Sequence, residues 1–148
     1  MHPGGGPYSR RMQPLICRVE HVGFAAQDPA GLADWYERTF GARRIWRNEL
    51  QRPAVFVEMP GGLVLEIYPS ARAAADITGD NSVSGLRHLA LRVGNLDAAR
   101  DQLADAGVAF PDSIKPAGGG GRVLFFKDPE GNLLHLVERP SGEPLSHA

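Results

Sequence analysis

An α+β fold built from two repeated β-α-β-β-β modules is what the 148-residue sequence predicts, and three observations carry it. The stretch Arg18-Val-Glu-His-Val-Gly-Phe-Ala-Ala26 returns as Gly85-Leu-Arg-His-Leu-Ala-Leu-Arg-Val93, each time with a histidine inside a strand-like run. Pro60-Gly-Gly-Leu-Val-Leu-Glu66 returns as Pro129-Glu-Gly-Asn-Leu-Leu-His135 at an offset of 69, whereas His21 and His88 are 67 apart, so the second unit carries a net insertion of two residues. After each first strand comes a helix with its own start and stop signals.

Residues 1–14 are rich in Gly and Pro and have no apolar period to bury, so they read as a disordered tail. Module 1 spans 15–68. Its first strand is expected over Leu15–Ala26, ending at Asp28, which can cap a helix opened by Pro29 and closed by Gly41. Leu32, Trp35, Tyr36 and Phe40 share one face of that helix and read as core rather than as a cofactor box. Strands are expected over 44–48 and 53–58, and Pro60-Gly-Gly62 turns the chain into a fourth over 63–68. There Leu63, Leu65 and Ile67 should pack beneath the helix, leaving Glu66 on the other face between Val64 and Tyr68.

Residues 69–84 read as a connector with a short helical turn near Ala71–Ala75. Module 2 spans 85–139. Asn95 can cap a helix over 96–106 closed by Gly107, with Leu96, Ala99, Leu103 and Ala106 as its buried stripe. A short strand is expected over Val108–Phe110, then a loop to Gly121, then a hairpin of 122–127 and 133–138 around Asp128-Pro-Glu-Gly-Asn132. The glycine run 118–121 lacks the Lys-Ser/Thr of a phosphate loop and reads as a mobile rim beside a cleft. Residues 140–148 form a polar tail.

Composition bounds the function. With 43% apolar and 22% charged residues and a formal net charge of −1, the chain is globular and carries no basic footprint for nucleic acid. No apolar run is long enough to span a membrane, and a single cysteine, Cys17, forms no internal disulfide; a cytoplasmic placement is expected, with Cys17 a small buried hydrophobe. Arg43, Arg44, Arg47 and Arg52 read as a solvated charged face rather than an anion site.

Four potential donors, His21, Glu66, His88 and His135, therefore occupy equivalent places in the two units. With Trp35-Tyr36 in a helix ending Phe40-Gly41, Leu65-Glu-Ile67 and Phe126-Lys-Asp-Pro-Glu-Gly-Asn132, they make the chain from Cys17 to Arg139 resemble the vicinal oxygen chelate superfamily. This group holds glyoxalase I, methylmalonyl-CoA epimerase, extradiol dioxygenases, fosfomycin-resistance enzymes and bleomycin-resistance proteins.

The resemblance implies curved mixed sheets enclosing a cleft, with His21, Glu66, His88 and His135 as metal ligands. His135 stands where glyoxalase-like and epimerase-like members usually carry Glu. Three imidazoles and a carboxylate suit one divalent transition ion, Zn, Ni, Co, Fe or Mn, acting as a Lewis acid on vicinal oxygens of a small-molecule substrate. The implied activity is that of a metal-dependent, glyoxalase-like lyase or isomerase with Glu66 as the proton shuttle. The alternatives are a metal-free small-molecule binding or resistance protein and an extradiol-type dioxygenase. A homodimer is also implied, with His21 and Glu66 from one chain meeting His88 and His135 of the other.

Overall fold

The structure, a computed structural model, describes residues 13–75 and 79–140. The expectations for residues 1–12 and 141–148 lie outside it. The elements are β1 (His21–Ala26), α1 (Pro29–Phe40), β2 (Arg43–Arg47), β3 (Val55–Glu58), β4 (Val64–Pro69), β5 (His88–Arg92), α2 (Leu96–Asp105), β6 (Lys115–Pro116), β7 (Arg122–Lys127) and β8 (Leu133–Glu138). They form two four-stranded mixed sheets of identical plan, β1-β4-β3-β2 and β5-β8-β7-β6, in which the first strand of each module lies parallel to its last. Neither sheet closes into a barrel. No helix among the described residues is long and apolar enough to cross a membrane.

Both helices start as their caps dictate. The Asp28 carboxylate accepts from the Gly31 backbone N–H at 3.0 Å, and the Asn95 side chain accepts from Ala98 N–H at 2.9 Å, each satisfying a donor that the first turn leaves unpaired. Gly41, at φ 71°, ends α1 in the left-handed conformation. Leu32, Ala33 and Tyr36 of α1 are buried against β3 and β4, where Val55, Val57, Leu65 and Ile67 are fully enclosed. Trp35 and Phe40 pack around that core half-buried. On α2, Leu96 and Leu103 are buried, but Ala106, placed in the stripe by sequence, is exposed because the helix has already ended at Asp105.

The first strand of each module is shorter than its apolar pattern suggests. His21 is paired with Val64, and the residues before Val64 are the Gly61-Gly62 turn, at φ 95° and 97°, which leads away to β3. Among the described residues, 15–20 thus have no parallel partner; they are exposed, and Cys17 is an exposed free thiol rather than a buried hydrophobe. For the same reason β5 begins at His88, opposite Leu133, and leaves Leu86 outside the ladder.

Three further expectations are corrected. Residues 71–75 form no helical turn. Residues 108–110 are not a strand; Val108, Phe110 and Ile114 instead pack on the core, and the fourth strand of the sheet is Lys115–Pro116, an edge position that tolerates proline. The glycine run 118–121 is a tight turn closing the β6–β7 hairpin, with Ala117 N–H donating to Gly121 O and the Arg139 guanidinium donating to the carbonyls of Gly118 and Gly120. It does not line the cavity described below.

The two modules are joined through a buried polar contact. Tyr36 Oη donates to Asp128 Oδ2 at 2.9 Å, and Asp28 N–H donates to Glu130 Oε1 at 2.8 Å, so α1 of the first module rests on the β7–β8 turn of the second. Burial pushes the Tyr36 phenol well above its ordinary value, and the Asp128 carboxylate adds to the shift. Burial likewise raises Asp128, opposed by the donors it receives from Asn132, Tyr36 and Glu130.

Candidate metal centre

Each sheet brings its own two potential ligands together. In the first, Glu66 on β4 stands opposite Gly23 on β1; in the second, His135 on β8 stands opposite Ala90 on β5. The second donor thus faces a small residue two positions beyond the strand histidine, which leaves both side chains room to lean toward each other along one face. His21 Nε2 lies 3.1 Å from Glu66 Oε2, and both side chains are about one-third exposed, at 33% and 31%. The His88 and His135 rings are 4.5 Å apart between centroids, tilted by 37°.

An aromatic ring backs each pair. Phe56 is the β3 partner of Glu66 and stacks on His21 at 5.6 Å, while Phe125 is the β7 partner of His135 and meets both histidines edge-on, at 5.6 and 4.8 Å. These two residues are 69 apart, the offset of the second-half repeat, so the signal that identified Glu66 and His135 also marks them.

The two pairs differ in electrostatics. Burial first, then the neighbouring His88 and Arg139, pulls the His135 imidazole down to about 4, so it is neutral at neutral pH. His135 is buried, and its Nδ1 has no hydrogen-bond partner among the described residues. His88 Nδ1 lies 2.8 Å from the side-chain oxygen of Asn81, a connector residue that the repeat pattern could not reveal because it has no equivalent in module 1.

The donor set fits a divalent transition ion in kind: neutral imidazole, carboxylate, and a buried ring nitrogen that a cation would satisfy. The structure does not gather all four donors. Among the described residues, no three His, Cys, Asp or Glu side chains lie close enough to hold one ion. One chain therefore presents two two-donor half-sites on two sheets.

A cavity of about 470 Å³ is lined by Gly23 and Ala25 of β1, by His88 of β5, and by Leu86, Arg72 and Glu130. That volume lies within the range of small-molecule pockets. Of the arginine cluster, Arg44 bridges Asp34 and Glu37 of α1 at 2.6 and 3.1 Å, Arg43 pairs with Glu58 at 3.2 Å, and Arg52 donates to the carbonyls of Gln27 and Ser70. These side chains tie elements together, which leaves them a structural role.

Comparison with known proteins bears on this architecture. Residues 18–136 match the family model described as the Glyoxalase/Bleomycin resistance protein/Dioxygenase superfamily. An ethylmalonyl-CoA/methylmalonyl-CoA epimerase of Cereibacter sphaeroides is 29% identical over 139 residues, covering 84% of this chain and 99% of the relative. A crystal structure of a member of the same superfamily from Sphaerobacter thermophilus superposes with a TM-score of 0.65 at 24% identity, over 84% of this chain and 98% of the other. The fosfomycin resistance protein FosX of Listeria monocytogenes, in complex with Mn(II) and sulfate, superposes with a TM-score of 0.64 at 17% identity, over 86% and 94%.

Proposed function

The chain belongs to the Glyoxalase/Bleomycin resistance protein/Dioxygenase superfamily, and from that premise we propose that it is a metal-dependent lyase or isomerase. His21 and Glu66 of one copy and His88 and His135 of a second would hold one divalent ion. The observation that carries the reading is the pair of equivalent half-sites, each with two donors at matching register, backed by a phenylalanine and lacking a third donor among the described residues. A twofold pair of chains supplies the missing half to each, and closed twofold dimers are the commonest assembly. The epimerase relative supports the isomerase branch, and the CoA esters in its name are the first substrates to assay.

When bound, the ion supplies a Lewis acid that polarises an oxygen of the substrate. Glu66 is the residue to move the proton at the adjacent carbon. It is partly exposed, and His21 is the side chain in contact with it. His135 is the weaker candidate, because burial and the facing His88 both oppose its taking up a proton. Phe56 and Phe125 pack against the histidine rings of the two pairs and restrict how those rings can turn.

Metal analysis of the purified chain with sedimentation at micromolar concentration tests the proposal. About one ion per chain in a dimer is expected, with sharp loss of metal in the double variant His21→Ala/His88→Ala. Unchanged metal in that variant refutes the ligand assignment, and a metal-loaded monomer refutes the shared site. A wild-type chain that binds no ion would place the protein with the metal-free binders. Oxygen consumption during turnover would make it a dioxygenase.

A further inference from the structure

The connector between the modules, for which the sequence suggests only a short helical turn near Ala71–Ala75, makes one contact with a candidate ligand. Asp80 Oδ1 accepts from the backbone N–H of Ser82 at 2.9 Å and from its hydroxyl at 2.6 Å, an Asx-type turn that holds the segment in place. Asn81, between those two residues, reaches His88, with its Oδ1 2.8 Å from His88 Nδ1. An amide oxygen can only accept, so the proton of this bond belongs to Nδ1. In the neutral ring the lone pair then sits on Nε2.

We infer that Asn81 is a positioning residue for His88: it selects the Nδ1–H form of the imidazole and presents Nε2 as the donor to the cleft. In the first module the nitrogen turned toward the second donor is Nε2, with His21 Nε2 3.1 Å from Glu66 Oε2; that contact bears on ring orientation and not on the tautomer, because a carboxylate oxygen there calls for the proton on Nε2. Among the described residues the outer nitrogen there has no such anchor; His21 Nδ1 lies 3.8 Å from Glu20, an exposed side chain beyond hydrogen-bond distance. Glu66 steadies His21 across the pair instead. His88 faces a second imidazole, so its orientation is fixed from behind. A ligating histidine held through its other nitrogen is fixed in tautomer and in ring orientation, and loss of such a partner typically lowers metal affinity about 10- to 100-fold. The inference rests on the metal reading above only in naming what Nε2 binds.

Long-range proton–nitrogen NMR on the metal-free chain near pH 8, together with Co(II) titration by calorimetry, tests it. In the wild type His88 is expected as the Nδ1–H form. Asn81→Ala should return it to a mixture of forms and weaken Co(II) binding about 10-fold or more, whereas Asn81→Asp, which keeps a side-chain oxygen acceptor, should preserve the tautomer and most of the affinity. The inference is overturned if wild-type His88 carries its proton on Nε2, or if Asn81→Ala changes neither the tautomer nor the affinity by more than about twofold. The two readings fail separately. A wild type that binds no Co(II) while its tautomer still depends on Asn81 sinks the metal centre and leaves the positioning role, and normal Co(II) binding with an unaltered tautomer does the reverse.

Discussion

Replacing Tyr36 with phenylalanine removes one hydroxyl and almost no volume, so it isolates the buried hydrogen bond between the modules. The Tyr36 side chain is fully buried and Asp128 is 4% exposed, and their contact of 2.9 Å is made across 92 residues of sequence. A hydrogen bond to a charged group contributes about 1.5–3 kcal/mol. Asp128 Oδ2 keeps a second donor, Asn132 Nδ2 at 2.8 Å, and Oδ1 keeps the backbone N–H groups of Glu130 and Asn132, which places the loss at the lower end, about 1.5 kcal/mol. For a chain of this size that corresponds to a fall in Tm of roughly 3–6 °C. Asp128→Ala should cost more, about 3 kcal/mol or above, because it also unties the turn and strands a buried phenol. The Tyr36 bond favours the ionised carboxylate, so the Tyr36→Phe penalty should shrink as pH falls and Asp128 takes up a proton. Urea denaturation at pH 7 and in the acid range measures both effects. A loss at pH 7 below about 0.3 kcal/mol would show that the contact does not couple the modules.

Other perturbations have equally definite outcomes. His135, at about 4 when folded against an ordinary 6.5, binds its proton more weakly in the native state; its contribution is complete above pH 6.5 and is lost as pH falls toward 4, on the order of 2–3 kcal/mol. Thermal melts across that range should show the decline, and His135→Gln should flatten it. Gly121→Ala, whose new Cβ would lie 1.9 Å from the Glu138 carbonyl oxygen at φ 91°, should destabilise the chain by more than about 3 kcal/mol, whereas Gly41→Ala, at φ 71° with nothing within 4 Å, should cost about 1 kcal/mol in the same urea assay. Once a substrate is found, Glu66→Gln should lower turnover about 100-fold or more at saturating metal, with a parallel loss of solvent-deuterium exchange at the reacting carbon. Near-normal exchange in that variant would remove Glu66 from the proton transfer.

Repeat and period made most of this architecture legible. The offset of 69 placed Glu66 and His135 in register, alternation assigned Leu65 and Ile67 to the core, and Asp28, Asn95 and Gly41 delimited the helices. What failed depended on partners that no local pattern specifies. Leu15–Glu20 reads as strand, but the Gly61-Gly62 turn removes the segment it would pair with. Lys115-Pro116 is a strand only because β7 lies beside it. Asn81 is not legible in the sequence because its role comes from a turn in an unrepeated connector, and the offset that relates Phe56 to Phe125 does not say that their rings lie against the histidines. The family resemblance supplied the ligand set, but whether one chain closes the site depends on how the modules meet, which sequence spacing does not encode.

Mixing two defective chains tests the shared centre most directly. His21→Ala disables the first half-site and His88→Ala the second, and each variant alone should bind divalent metal weakly. If the centre is built from one half-site of each copy, a heterodimer of the two variants contains one site with both halves intact. Unfolding, mixing and refolding the two chains together, followed by calorimetric titration with Co(II), should then restore wild-type affinity at one ion per heterodimer. A mixture that binds no more tightly than the separate variants would contradict a site divided between two copies.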